Sequence, residues 1–233
     1  MSILEVSDLG LQHYGPVWDL QRSLHKRRVE GRQNDILLLV EHYPVYTIGK
    51  NGKKEHILAS SDYLKKENIA IYQADRGGDV TYHGPGQLVG YPILNLQENH
   101  LGIDVFLRKL EEIFIRILKD YGIDSHRIYK YTGVWVGEEK ILAIGIRVSH
   151  WTTMHGFAFN VKPNLSHFLG IIPCGIKGKG TTSLARLLHN IPPMKEIKEK
   201  VILNFCQVMG FKKWKLVGGE VWNSLTVLAR KNS

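Results

Sequence analysis

The stretch TGVWVGEEKILAIGIRVS (132–149), with HGFAFNV (155–161) a few positions on, reads as three consecutive β-strands. Apolar, β-branched and aromatic residues fill both pieces, and Gly137-Glu138-Glu139 supplies a tight turn between the first two strands. Hairpin-linked strands do not belong to a strictly alternating βαβ chain, so this meander decides between a doubly wound parallel sheet and an α+β sheet. It favours the second.

Outward from the meander, IDVFLRKLEEIFIRILKDYG (103–122) is the clearest helix. Val105, Phe106, Leu110, Ile113, Phe114, Ile117 and Leu118 keep helical spacing, with Asp104 as a start signal and Gly122 as a stop. MKEIKEKVILNFCQVMG (194–210) is a second long helix. VWDLQRSLHKRRVEG (17–31) is an amphipathic helix with Trp18, Leu20 and Leu24 inward and its basic residues outward. NDILLLVEHYPVYTIGK (34–50) reads as a buried strand, a turn broken at proline and a second short strand. SDYLKKENIAIYQADRG (61–77) reads as a short helix and a strand, and LVGYPILNL (88–96) as another strand. No repeat, low-complexity tract or linker divides the 233 residues, so one domain spanning 1–233 is expected.

The composition holds 43% hydrophobic residues, which supports a core and argues against disorder. No apolar run is long enough for a membrane span, and MSILEVSDLGLQHYG lacks signal-peptide and transit patterns. With only two cysteines, a disulfide framework is not the organising principle and a reducing compartment is expected, the cytoplasm, or the mitochondrial matrix in a eukaryote. Lys and Arg number 31 against 22 Asp and Glu, a net charge of +9. The basic residues are scattered, in HKRR (25–28), KNGKK (50–54) and FKKWK (211–215) among others, without a zinc-finger or RNP-type motif. No nucleic acid is expected; an acidic partner is. The eleven histidines show no ligand spacing, so no metal is expected either.

The two cysteines differ. Cys206 falls within the helical pattern beside Ile202, Phe205 and Met209, and behaves as a small hydrophobe. Cys174 lies in GIIPCGIKGKGTTSLARLL (170–188), flanked by Pro173 and Gly175, ahead of a helix expected near Thr182. A helix N-terminus favours a thiolate, but a buried loop cysteine fits the local sequence too. A free thiol of pKa about 8.5 is only about 3% thiolate at pH 7, and a neighbouring cation lowering it by about 1.5 units would make it half ionised. Lys140, between the tight turn and the strand ILAIGI, stands out for that place, although a surface lysine ending a hairpin fits equally.

A third feature is RGGDVTYHGPGQLVGYP (76–92), where glycines and prolines surround one Arg and one His. Such density marks a long turn, or a main chain that something approaches closely. Taken together, RGGDVTYHGPGQ, GVWVGEEKILAIGIR with HGFAFNV, and GIIPCGIKGKGTTSL resemble the octanoyltransferases of lipoate biosynthesis, from about Ile36 to Leu188 and in the right order.

That resemblance implies an α+β, mixed β-sheet flanked by helices: the biotin/lipoate protein ligase-like fold, also described as class II aminoacyl-tRNA synthetase/biotin synthetase-like. It implies transfer of octanoyl from octanoyl-acyl carrier protein to a lysine of lipoyl domains, those of 2-oxoacid dehydrogenase E2 subunits and the glycine cleavage H protein. No cofactor and a monomer are implied. By carry-over, Cys174 is the acyl-thioester nucleophile and Lys140 tunes it. Arg76, Gly77, Gly78, Asp79, Val80, Thr81, Tyr82 and His83 would line the substrate pocket, with Ala143, Ile144 and Gly145 and with Gly156, Phe157 and Ala158. The proton of the incoming amine would go to Lys140 or His83, with Lys140 favoured. The rival readings are an ATP-dependent lipoate or biotin ligase of the same fold, a hydrolase using Cys174 and His83, and a basic nucleic-acid-binding protein.

Overall fold

The computed structural model describes residues 3–172 and 179–218. The elements run β1 (Ile3–Gln12), α1 (Tyr14–Val29), β2 (Ile36–His42), β3 (Val45–Ile48), α2 (Ser61–Lys66), β4 (Ala70–Gln73), β5 (Val80–His83), β6 (Gln87–Ile93) and α3 (Ile103–Asp120). After these come β7 (His126–Ile128), β8 (Tyr131–Val136), β9 (Glu139–Ser149), β10 (Thr152–Asn160), β11 (Gly180–Thr181), α4 (Leu184–Leu187), α5 (Met194–Met209) and β12 (Lys213–Leu216).

The main sheet has the order β12-β1-β2-β6-β10-β9-β8-β7, with β11 beside β9. Pairs β12–β1, β1–β2 and β11–β9 are parallel and the others antiparallel, so the sheet is mixed. β2 shows why the centre holds. Leu37 and Leu39 face a core shared with α3 and α5, whereas Ile36, Leu38 and Val40 face α1 through Val17, Leu20 and Leu24. A strand covered on both faces reads as an unbroken apolar run, which ILLLV is. Phe106, Leu110, Ile113, Phe114 and Ile117 of α3 and Val201, Phe205 and Cys206 of α5 fill the first core.

A small sheet, β4-β3-β5, packs its own cluster of Tyr46, Ile48, Val80, Tyr82, Phe168 and Ile171. The segment 76–92 is thus not one long turn, since β5 and β6 lie within it. Other local expectations change as well. Arg28 turns inward, its Nε donating to Asp35 and its Nη2 to Glu98, both at 2.7 Å, because a buried guanidinium needs partners. α3 starts at an uncapped Gly102, and Asp104 sits inside the first turn, where its charge meets the positive helix end. Val105 is exposed. The helix expected near Thr182 is a single turn, α4, too short for a helix dipole to act on a thiol. Among the described residues no helix is long and apolar enough to cross a membrane.

Candidate active site

Arg76, Gly77 and Gly78 form a turn laced to its surroundings. The Lys50 N–H donates to the Arg76 carbonyl at 2.9 Å, Asn51 N–H to the Gly78 carbonyl at 3.1 Å, and Gly77 N–H to Ile146 of β9 at 2.8 Å. Gly78 adopts φ +85, which a side chain would disfavour. The Arg76 guanidinium is buried against Thr47, with Nη2 donating to the Thr47 carbonyl at 2.6 Å.

β5 then alternates. Thr81 and His83 face a cavity, while Val80 and Tyr82 turn away into the small-sheet cluster, as the two-residue period of a strand requires. That cavity opens to solvent and is lined mostly by apolar side chains and glycine backbone. Arg76, Gly78 and Asp79 line it, facing Ala143, Ile144 and Gly145 of β9 and Gly156, Phe157 and Ala158 of β10. A second cavity holds Lys140 with Gln87, Asn160, Phe168 and Thr181, and shares Thr81, Ala143 and Ala158 with the first. Most of the described candidate residues therefore line two adjoining cavities. Val80 and Tyr82 line neither, and Gly77 takes part through its backbone.

Lys140 places Nζ 3.1 Å from the Thr132 carbonyl oxygen and 4.8 Å from the centre of the Trp135 ring. Cys174, with Pro173 and Gly175, lies outside the described residues. The chain before that segment ends at Ile172, whose N–H donates to His56 at 2.8 Å, and after it Gly180 and Thr181 pair with Glu139 and Lys140. Cys206, by contrast, is buried among α5 side chains, and burial pushes its thiol up to about 11, so it is inert at neutral pH.

His83 is buried, and its protonation follows from its neighbours. Asn160 Nδ2 donates to the Thr182 carbonyl at 3.0 Å, and Gln87 Nε2 donates to Asn160 Oδ1 at 2.9 Å. Gln87 Oε1 is left to accept from His83 Nδ1–H at 2.7 Å, so Nε2 carries the lone pair. Burial, then the neighbouring His42, pushes His83 down to about 3. It is neutral at physiological pH and a weak base.

The sequence reading missed four residues on the first cavity. Tyr14 stacks on His83 with ring centroids 6.2 Å apart, and its buried hydroxyl has no hydrogen-bond partner among the described residues. Tyr91 donates its hydroxyl to His42 Nε2 at 2.8 Å. Val89 adds apolar wall. His155 takes a left-handed φ of +58 and donates Nε2–H to Asp75 at 2.6 Å. Burial keeps His155 below the ordinary histidine range, and Asp75, held by that hydrogen bond and by Arg147, is pushed down to about 2. A non-glycine residue held in strained backbone at a cavity wall is a mark of functional sites. His155 directly precedes Gly156 in HGFAFNV, the one signal that pointed to it.

The chain matches the family of lipoyl protein ligase A/B catalytic domains over residues 13–206. It is 49% identical over 219 residues to an octanoyltransferase of Caldicellulosiruptor bescii, covering 93% of this chain and 96% of that protein. An octanoyltransferase of Caldicellulosiruptor saccharolyticus is 51% identical over 211 residues, covering 90% of both. Among solved structures, a bipartite lipoate protein ligase of Thermoplasma acidophilum superposes with a TM-score of 0.69 at 17% identity, over 96% of this chain and 90% of that one. The mixed sheet flanked by helices is thus the lipoate protein ligase fold.

Proposed function

The chain belongs to the octanoyltransferases, within the lipoyl protein ligase A/B catalytic-domain family, and is an acyltransferase; from that premise we propose that it moves octanoyl from an acyl carrier protein to a lipoyl-domain lysine through a thioester on Cys174. The acceptors are the lipoyl domains of 2-oxoacid dehydrogenase E2 subunits and the glycine cleavage H protein. The observation that carries this reading is the pair of adjoining cavities. Lys140 lines one, and Ile144, Phe157 and Tyr91 are among the residues that line the other. An acyl chain with its thioester at Lys140 and its tail toward Tyr91 would lie against mostly apolar wall. At roughly 0.8 kcal/mol per buried CH₂, that wall contributes several kcal/mol of binding.

The Cys174 thiolate attacks the carrier thioester, forming the acyl-cysteine bond and breaking the bond to the carrier sulfur. The Lys140 ammonium gives its proton to the departing thiolate and becomes an amine. After the carrier leaves, the lysine of the lipoyl domain attacks the acyl-cysteine. Its surplus proton passes to Lys140, the amide forms, and the Cys174 thiolate and Lys140 ammonium are restored. His83 suits the proton step less, since its Nδ1–H is committed to Gln87 and its basicity is suppressed. Thioester exchange is near energy-neutral and amide formation from a thioester is downhill, so no ATP is consumed.

The test is acyl transfer without nucleotide. Octanoyl-carrier and lipoyl domain, with this protein alone, should yield octanoylated lipoyl domain by mass spectrometry. A requirement for ATP and octanoic acid would make the protein a ligase, and octanoate release indifferent to lipoyl domain would make it a hydrolase.

A further inference from the structure

Behind Lys140, away from both cavities, a carboxylate is buried with no role in the reaction as described. Glu111, midway along α3, has no exposed surface. Its Oε2 accepts from Arg108 Nη1 at 2.7 Å and from Arg127 Nε at 3.0 Å. Its Oε1 accepts from the backbone N–H of Gly133 at 3.0 Å. The carbonyl of that same peptide unit is the Thr132 oxygen that receives Lys140 Nζ at 3.1 Å.

One peptide thus joins an anion to a cation. No described peptide bond is cis, and in a trans unit the N–H and C=O point in opposite directions. The carboxylate of Glu111 draws on one end, and the ammonium of Lys140 binds the other. An anion at the N–H end polarises the unit and enriches its carbonyl oxygen, strengthening the bond to the ammonium.

The local backbone is built around this unit. Gly133 has φ +131, and a Cβ there would stand 2.3 Å from the Leu142 carbonyl oxygen and 3.4 Å from Lys140 Cε. The β8–β9 register shifts beside it, with Val134 opposite Leu142 but Trp135 opposite Lys140. The shift seats Lys140 beside Trp135, with its ammonium over the ring. The charge on Glu111 is itself matched: Arg108 and Arg127 pair with it, and Arg127 also pairs with Glu112 at 2.9 Å. A buried carboxylate matched in this way acts on Lys140 through the peptide more than through a net field.

We propose that Glu111 is the positioning residue for Lys140, fixing through the Thr132–Gly133 peptide the carbonyl that holds its ammonium. The placement stands on geometry alone; its consequence for acyl transfer rests on the role proposed above for Lys140.

The test combines three readouts. In the unsubstituted protein, the Gly133 amide should exchange with deuterium far more slowly than an unprotected amide; exchange at the unprotected rate overturns the proposal. Trace acetylation at one mildly alkaline pH, read by mass spectrometry, should label Lys140 at least about threefold more in Glu111→Gln, relative to Lys119 in the same sample, since a hydrogen bond to the ammonium is weakened. An unchanged ratio overturns it. Glu111→Gln should also lower kcat with both KM values within about twofold, and should add no further loss in a Lys140→Met background. Equal losses in both backgrounds mean a merely structural role and overturn it. Should Lys140→Met leave transfer intact, the catalytic role of Lys140 fails, whereas exchange and labelling still judge the positioning.

Discussion

Lys140 holds its ammonium 4.8 Å from the centre of the Trp135 ring, two residues paired across β9 and β8. The ring face attracts a cation, and the bulge beside it sets where that cation stands. Lys140→Met should therefore reduce octanoyl transfer by about 10² or more, the scale of general acid–base catalysis. It should also move Cys174 alkylation by iodoacetamide to higher pH, because losing a nearby positive charge raises a thiol pKa. Lys140→Arg should keep the alkylation profile and still fail in transfer, since guanidinium does not give up its proton. An unchanged alkylation profile in Lys140→Met would remove Lys140 from the role.

His42 and His83 are both buried and neutral, pushed down to about 4 and about 3 by burial. Unfolded, each has a pKa near 6.5. Below about pH 6.5 the unfolded chain binds protons that the folded one does not, so stability is full above that pH and lost as pH falls toward 4. Each histidine contributes a slope of about 1.4 kcal/mol per pH unit, roughly 2 kcal/mol between pH 7 and pH 5. His155, also lowered, adds to the slope. Urea unfolding at pH 7 and pH 5 checks this, and His83→Gln should flatten the difference. Equal stability at the two pH values would contradict the neutral assignment.

Ala143 lies on both cavities. A larger side chain there should block passage of a long acyl chain while sparing a short one. Ala143→Leu should lower kcat/KM for octanoyl-carrier about tenfold or more and leave butanoyl-carrier within about twofold. Steady-state assays with the two donors give the ratio. Parallel losses for both chains would place the acyl group elsewhere.

Lys50, Lys53 and Lys54 are exposed on a loop whose backbone is tied to Arg76 and Gly78 at the cavity. An acidic carrier would be steered there. Changing all three to Glu should lower kcat/KM for the carrier donor about tenfold with kcat little changed, and should flatten its dependence on ionic strength. A salt dependence as steep as that of the unsubstituted protein would assign docking to another face.

The sequence showed its structure best where one periodicity acted alone. ILLLV, the α3 stripe and the β8–β9–β10 meander followed from local pattern because packing on the sheet faces rewards that pattern. The cavity wall was legible through the glycine-rich motif and not through spacing, whereas the Pro-Cys-Gly segment lies outside the described residues. Val80 and Tyr82 were grouped with the pocket because the motif is contiguous, although alternation in VTYH sends them to the opposite face. Tyr14 and Tyr91 carry no motif of their own, and the crossing of α1 over β6 and β10 brings Tyr14 to the cavity that Tyr91 of β6 lines. Glu111 sits in LEEIF, where an acid reads as a solvated helix position; its burial depends on Arg108, Arg127 and a backbone N–H. Arg108 is a helix neighbour at i,i+3, but the pairing with Arg127 and Gly133 leaves no local trace.

Peptide mapping after brief incubation with octanoyl-carrier, before any acceptor is added, bears most directly on the covalent route. One octanoyl group should appear on the peptide containing Cys174, be lost to hydroxylamine, and chase onto lipoyl domain when that is supplied. Octanoyl on Cys206, or efficient transfer by Cys174→Ala with no protein-bound acyl at any time, would contradict it.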